Sequence, residues 1–324
     1  MLTNRRPPYQ LILLIMSAFI LFGLSLGIGS TRIPLSDMLS NTHNLPHEIF
    51  MTLRLPRTLG AFTCGGLLAL AGALLQALLR NPLADPYILG VSSGAALLNL
   101  IALMLGVSLS HLSISAFLGS MLAIGIVFGL NVKKQHSSYH LLLTGVMFAS
   151  LCSALMSFLL NFGNNLQLRQ TFFWLMGDLS QNAHPYLSFG LLVGGLIISL
   201  MIASALNVMV LGQVKAQTLG INTKAMRIIL YFLSAGLTAI AVTLAGPIGF
   251  VGLIIPHALR LIGLNNYHFL LPGCVFAGGG FLMLADTLSR SLLAPAQIPV
   301  GIITALVGAP VFLILLSQSG NEKC

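Results

Sequence analysis

Long apolar runs recur along this chain, separated by short polar or proline-bearing interruptions. A bilayer's hydrocarbon core takes about 20 apolar residues per helix. Ten segments meet or approach that length: 10–29, 57–79, 88–107, 113–132, 141–162, 187–207, 227–245, 248–264, 271–289 and 300–318. The pattern predicts an all-α polytopic membrane protein, a single transmembrane domain over residues 1–324. The eighth segment is the least regular. It follows Gly246-Pro247 and contains Pro256, so a broken or partly re-entrant helix is expected there. The first follows Arg5-Arg6 like a signal peptide, but its run exceeds an h-region of about 7–15 residues. An uncleaved first helix is expected.

The sharpest interruption is Arg80-Asn81-Pro82-Leu83-Ala84-Asp85-Pro86. Two prolines, an amide, a base and an acid end any helix that enters the run. In so apolar a chain, such a break must face water or lie buried in protein. It is a candidate moving part.

Composition agrees with the pattern: 56% of residues are hydrophobic and 6% charged, against roughly 25% charged in a soluble protein. The net charge of +9 needs a topological explanation before a nucleic-acid one. Ten spans with an inside N-terminus put Arg5, Arg6, Arg80, Lys133, Lys134, Lys215, Lys224, Arg227, Arg260 and Lys323 inside. Arg32, Arg54, Arg57, Arg169 and Arg290 fall outside. The excess inside satisfies the positive-inside rule, so both termini are expected in the cytoplasm. Cys64, Cys152, Cys274 and Cys324 show no pairing or metal spacing, nor do the scattered histidines, so no metal site is expected. The sequence holds no phosphate-binding glycine loop and no zinc-protease motif. Only Asp286 reads as an acid within a span, so an ion-coupled carrier lacks its usual groups. Arg290, one turn on, is placed to neutralise it.

Several clusters carry two readings. Arg54 and Arg57 flank Pro56 at the outer start of the second span, as interfacial anchors or as a dock for acidic groups. Gly65, Ala69, Ala73 and Ala77 form a small-residue stripe suited to close helix packing. Gln76, deep in the same span, faces a substrate path or bonds to a neighbouring helix. Ser150, Ser153, Ser157 and Asn161 share one face of the fifth span. They form a wet wall or interhelical glue. The region Gly163–Pro185 is mixed in character and carries Trp174, read as an interfacial aromatic. Residues 212–227 form the longest inside interruption. Ala216–Leu219 allows one or two helical turns ended by Gly220, as a connector or a handle for a cytoplasmic subunit.

Nearly the whole chain, from about Arg54 to Leu316, resembles the FecCD-type permeases of ATP-binding-cassette (ABC) importers for iron-siderophores, haem and vitamin B12. The motifs are R-L-P-R (54–57), G-A-L-L-Q-A-L-L-R-N-P-L-A-D-P-Y-I-L-G-V-S-S-G-A (72–95), L-L-L-T-G-V (141–146) and W-L-M-G (174–177). They continue with G-P-I-G-F-V-G-L-I-I-P-H-A-L-R (246–260), L-L-P-G (270–273), L-A-D-T-L-S-R (284–290) and I-P-V-G-I-I-T-A-L-V-G-A-P-V-F (298–312). The resemblance implies about ten helices in the type II ABC importer architecture and a second permease subunit, expected to be another copy of the chain. It also implies two ABC ATPase subunits and a periplasmic substrate-binding protein, in a bacterial inner membrane. ATP would be used by the partner, and this chain would bind no cofactor. By the same resemblance, Ser150, Ser153, Ser157 and Asn161 would line the path, and Gln76 is placed with them on its own reading. Asn81, Leu83, Ser137 and Ser138 would form the cytoplasmic gate, and Arg54, Arg57 and Arg290 would dock the binding protein. Lys215, Ala216, Leu219 and Gly220 would receive the ATPase stroke. C-S-A-L-M-S (152–157), L-R-Q (168–170) and L-L-P-G-C (270–274) look closest to the vitamin B12 permeases. Gln297-Ile298 departs from the Glu-Leu pair of many relatives. A stand-alone secondary carrier or channel is the rival expectation.

Overall fold

The computed structural model describes residues 7–29, 45–108, 111–131, 138–180, 184–294 and 296–320. Helices account for all the regular structure among them. They are α1 (Pro7–Gly27), α2 (Leu45–Ile49), α3 (Leu55–Leu79), α4 (Val91–Met104), α5 (Leu112–Asn131), α6 (Ser138–Leu160) and α7 (Asn165–Leu175). The series continues with α8 (Pro185–Met201), α9 (Ala203–Met209), α10 (Gln213–Thr218), α11 (Thr223–Ala245), α12 (Val251–Leu261), α13 (Tyr267–Ser291) and α14 (Val300–Gly320). A π-helical turn, Phe50–Arg54, joins α2 to α3. Among the described residues six helical stretches are long and apolar enough to cross a membrane, and the α8–α9 pair, bent by 55°, is a seventh if counted as one span. The chain is a polytopic all-α membrane protein.

At the centre stands α3, the 25-residue helix whose side chains are buried from Gly60 to Leu79 apart from Phe62. It packs most extensively on α13 and α11, then on α12 and α8. A helix enclosed on every side needs neighbours that come close, and its small residues allow this. A Cβ on Gly65 would stand 2.8 Å from the Gly278 carbonyl carbon of α13, and one on Gly72 would stand 2.8 Å from Gly252 Cα of α12. A second close crossing joins α4 to α5, where a Cβ on Gly94 would meet the Gly119 oxygen at 2.6 Å. By contrast, α1 and α6 leave most of their length uncovered, as apolar helices facing lipid or another subunit do.

Among the described residues, the apolar helices α4 and α12 are too short to cross alone. The 14 residues of α4 and 11 of α12 rise about 21 and 16 Å, against a core of about 30 Å. The irregular eighth span expected at 248–264 is thus a half-length helix. Its first residue follows Phe250, held at φ 72°.

Gly65→Val is expected to cost about 1–3 kcal/mol or more through overpacking, read as a lowered thermal midpoint in detergent. Gly125→Ala, where a Cβ meets nothing within 4 Å, should leave the midpoint unchanged.

Candidate functional site

The Arg80–Pro86 break is built by local hydrogen bonding. Arg80 turns left-handed at φ 51° and ends α3. The Asn81 side-chain oxygen accepts from Leu83 N at 2.9 Å, and the Asn81 backbone carbonyl accepts from Ala84 N at 3.1 Å. Asx turns of this kind hold a loop without regular structure. Asp85 then caps a single 3-10 turn, Pro86–Leu89, accepting from Tyr87 N at 2.8 Å. The sequence suggested a cap on the following helix; the cap sits on this turn instead.

The segment does not stay at the end of α3. A Cβ on Gly252 would meet both Pro86 Cγ, at 2.6 Å, and the Leu68 oxygen, at 2.8 Å. Pro86 therefore lies beside the middle of α3, about two to three turns back from Leu79. The break re-enters the bundle, and α4 begins at depth. A second break, Gly246–Phe250, meets it there. Tyr87 Oη donates to Ile248 O at 3.1 Å and accepts from Ile248 N at 2.8 Å. One hydroxyl ties together the two breaks, each followed by a half-length helix.

Gln76 locks the same region. Its amide nitrogen donates to Leu253 O at 3.1 Å, and its oxygen accepts from Arg260 Nη1. Arg260 also lies over the Tyr267 ring, 5.9 Å from its centroid. Gln76 is 3% exposed. The expected place for it on the path is thus corrected. This side chain is the buried amide bonded to a neighbouring helix, because Arg260 and the Leu253 carbonyl both need a polar partner inside the bundle.

The α6 stripe has the opposite character. Ser150, Ser153, Ser157 and Asn161 are all exposed. Ser150 Oγ donates to Val146 O within α6, and Asn161 Nδ2, in the turn that follows α6, donates back to Ser157 O. Among the described residues none of the four bonds to another helix. Met147, Leu151 and Phe158 are exposed around it. Of the expected gate residues, Asn81 is exposed and Leu83 is 38% exposed. Ser138 is the first residue of α6, and Ser137 lies outside the described residues.

The arginines expected at the outer surface turn inward. Arg57 Nη2 reaches Asp286 Oδ1 and Arg290 Nε reaches Asp286 Oδ2, both at 2.9 Å. Arg57 Nη1 donates to Gln297 Oε1 at 2.8 Å. Arg54 Nη1 donates to the Leu26 carbonyl at 2.9 Å, and Arg290 Nη2 to Ser25 Oγ at 3.1 Å. Asp286 is fully buried; Arg54 and Arg290 are 5% and 7% exposed. For Arg54 and Arg290 the docking expectation is corrected, since neither guanidinium is presented to solvent. The neutralising Arg290–Asp286 pair is present, and Arg57 joins it from another helix.

At the other expected interface, α10 occupies Gln213–Thr218 and Gly220 follows at φ 82°. Ala216 is buried, while Val214 and Leu219 are 74% and 64% exposed. Gln217 Nε2 donates to Thr223 Oγ1 at 3.1 Å, pinning the turn to α11. Cys64, Cys152 and Cys274 are free and buried, and no metal-binding group of side chains occurs among the described residues.

The sequence reading missed α7. Its signal was present: Asn164 and Gln167 form a reciprocal capping box, the pattern that opens a helix. The α8–α9 bend at Ile202 carries no proline or glycine to announce it.

The profile of the FecCD transport family matches residues 14–318. The chain is 37% identical over 320 residues to the vitamin B12 import system permease protein BtuC of Serratia proteamaculans, covering 97% of this chain and 94% of that one. Its counterpart in Yersinia pseudotuberculosis is 40% identical over 275 residues, 84% of this chain and 82% of that one. A solved inward-facing structure of a metal-chelate type ABC transporter superposes with a TM-score of 0.85 at 35% identity, covering 96% of this chain and 99% of that chain.

Asp286→Asn would leave two guanidiniums without their counter-charge. It is expected to cost about 3–5 kcal/mol, measured as the loss of unfolding free energy in denaturant titrations. Tyr87→Phe would strip the Ile248 N–H and C=O of their partner, at about 1–3 kcal/mol, with hydrogen exchange rising at Ile248 first.

Proposed function

The chain belongs to the FecCD transport family, and we propose that within it this ABC importer permease carries a corrinoid of the vitamin B12 type. The observation behind this reading is 37% identity over 97% of the chain, and 40% over 84% of it, to permeases named for vitamin B12 import. The stand-alone carrier finds no support among the relatives. A ferric siderophore or haem belongs to the same class of large metal chelates and is separated from a corrinoid by the assay below.

In this reading two copies of the chain face each other across α6. A serine–asparagine stripe left unbonded to other helices, on a face that is otherwise apolar, suits a wall wetted between two subunits better than one against lipid tails. Ser150, Ser153, Ser157 and Asn161 then line the path. Asn81 and Leu83 close its cytoplasmic end beside Ser137 and Ser138. The exposed Val214 and Leu219 of the α10 turn receive a cytoplasmic ATPase, with Lys215, Ala216 and Gly220 setting the turn's shape. ATP is bound and used by that partner, and this chain holds no cofactor. A periplasmic binding protein delivers the cargo at the end opposite Arg80, where Arg57 is the expected arginine still within reach of a partner. The protein sits in a bacterial inner membrane with both termini in the cytoplasm.

Reconstituted in liposomes with its ATPase and binding protein, the complex should accumulate cobalamin only when ATP is hydrolysed. Equal uptake with a hydrolysis-dead ATPase, or uptake of a ferric chelate in place of cobalamin, would overturn the proposal. Leu219→Asp should sharply reduce ATPase co-purification and uptake together, because it puts a charge on the apolar contact.

A further inference from the structure

A cavity of about 330 Å³ opens where α4 ends, α5 begins, α7 crosses and α11 ends. It belongs to none of the features assigned above. Arg169 and Asp178 both line it. Among the described residues, the ion pairs are Arg57–Asp286 and Arg290–Asp286, so these two opposite charges share a cavity without pairing. Arg169 makes no hydrogen bond among the described residues. Asp178 accepts from Ser180 N at 2.8 Å and Ser180 Oγ at 2.6 Å. Those bonds fix the carboxylate in place and leave it able to accept more. Asn99, 6% exposed, adds a buried amide to the wall.

The rest of the lining is apolar. Leu100 and Leu244 come from α4 and α11, and Phe173 and Trp174 from α7. The exposed Arg169 and the half-buried Asp178, unpaired at one cavity with apolar residues beside them, match a ligand carrying both charges on an apolar body. Aromatic side chains at a helix-bundle rim are also where membrane proteins meet lipid headgroups.

We propose that this cavity is a binding site for a zwitterionic aminophospholipid of the phosphatidylethanolamine type. The phosphate lies on the Arg169 guanidinium, whose fork geometry suits it. The primary ammonium donates to Asp178. A phosphatidylglycerol headgroup satisfies Arg169 but offers Asp178 no cation. A phosphatidylcholine headgroup carries the cation but has no N–H to donate.

The chain's single tryptophan, Trp174, lines the site and reports on it directly. The full-length protein, delipidated in detergent, would be titrated with bromine-labelled phosphatidylethanolamine, phosphatidylglycerol and phosphatidylcholine while Trp174 fluorescence is followed. Phosphatidylethanolamine should quench at about tenfold lower mole fraction than either other lipid, the equivalent of one good polar contact. Asp178→Asn should bring it to the phosphatidylglycerol level and leave phosphatidylglycerol unchanged. Arg169→Gln should weaken both. Equal quenching by the three lipids in the unmodified protein overturns the proposal without any variant being needed. Free phosphoethanolamine that displaces the brominated lipid at matching concentration assigns the site to a soluble zwitterion and overturns the lipid.

Discussion

Backbone-to-backbone approach at α3 is the constraint on which the bundle depends. In lipid, helices gain little from hiding apolar side chains, because the solvent is as apolar as they are. What holds them is dispersion at short range and polar groups that find partners. The glycines of α3 supply the first: Gly65 lies against Gly278 and Gly72 against Gly252. Gln76 supplies the second, through Arg260 and the Leu253 carbonyl. The close crossings draw α12 and α13 in, and the amide fixes how far α12 can slide.

Two polar assemblies then sit at different depths along α3. Near its start, Asp286 balances Arg57 and Arg290, while Arg54 is held by carbonyls at the end of α1. Farther along, Tyr87 joins the re-entrant segment after α3 to the break before α12. The first fastens α1, α3 and α13 at one end. The second leaves Asn81 and Leu83 exposed on a loop whose base is buried, where Gln76 reaches the Ala84 carbonyl, Pro86 packs on Gly252 and Tyr87 binds Ile248. A short exposed loop on a firm base can move without unfolding what it rests on.

Much of this was legible in the sequence, for physical reasons. Apolar runs of bilayer length announce helices because no other open structure satisfies the backbone in lipid. Pro82 and Pro86 marked the first break, and Gly246-Pro247 the second. The turn at Ala216–Gly220 followed from its terminal glycine. The inward turn of the arginines was not legible, since Arg57 and Asp286 stand 229 residues apart and meet only through the α3–α13 packing. Phe250 gave no sign of its left-handed backbone, because the residue type that usually adopts it is glycine. Gln76 was ambiguous until Arg260 was seen beside it. The depth reached by Pro86 could not be read from composition at all; it depends on the side-by-side contact with Gly252.

The shortness of α4 and α12 constrains how the chain can be made. A segment of 14 or 11 residues is too brief for the insertion machinery to release into lipid alone, where about 20 are needed. Each must enter with the longer helix before it, α3 for α4 and α11 for α12, as a hairpin with one half-finished arm. Gln76 then waits in an unfinished bundle for a guanidinium synthesised 184 residues later. Biogenesis of the second half is thus templated by the first.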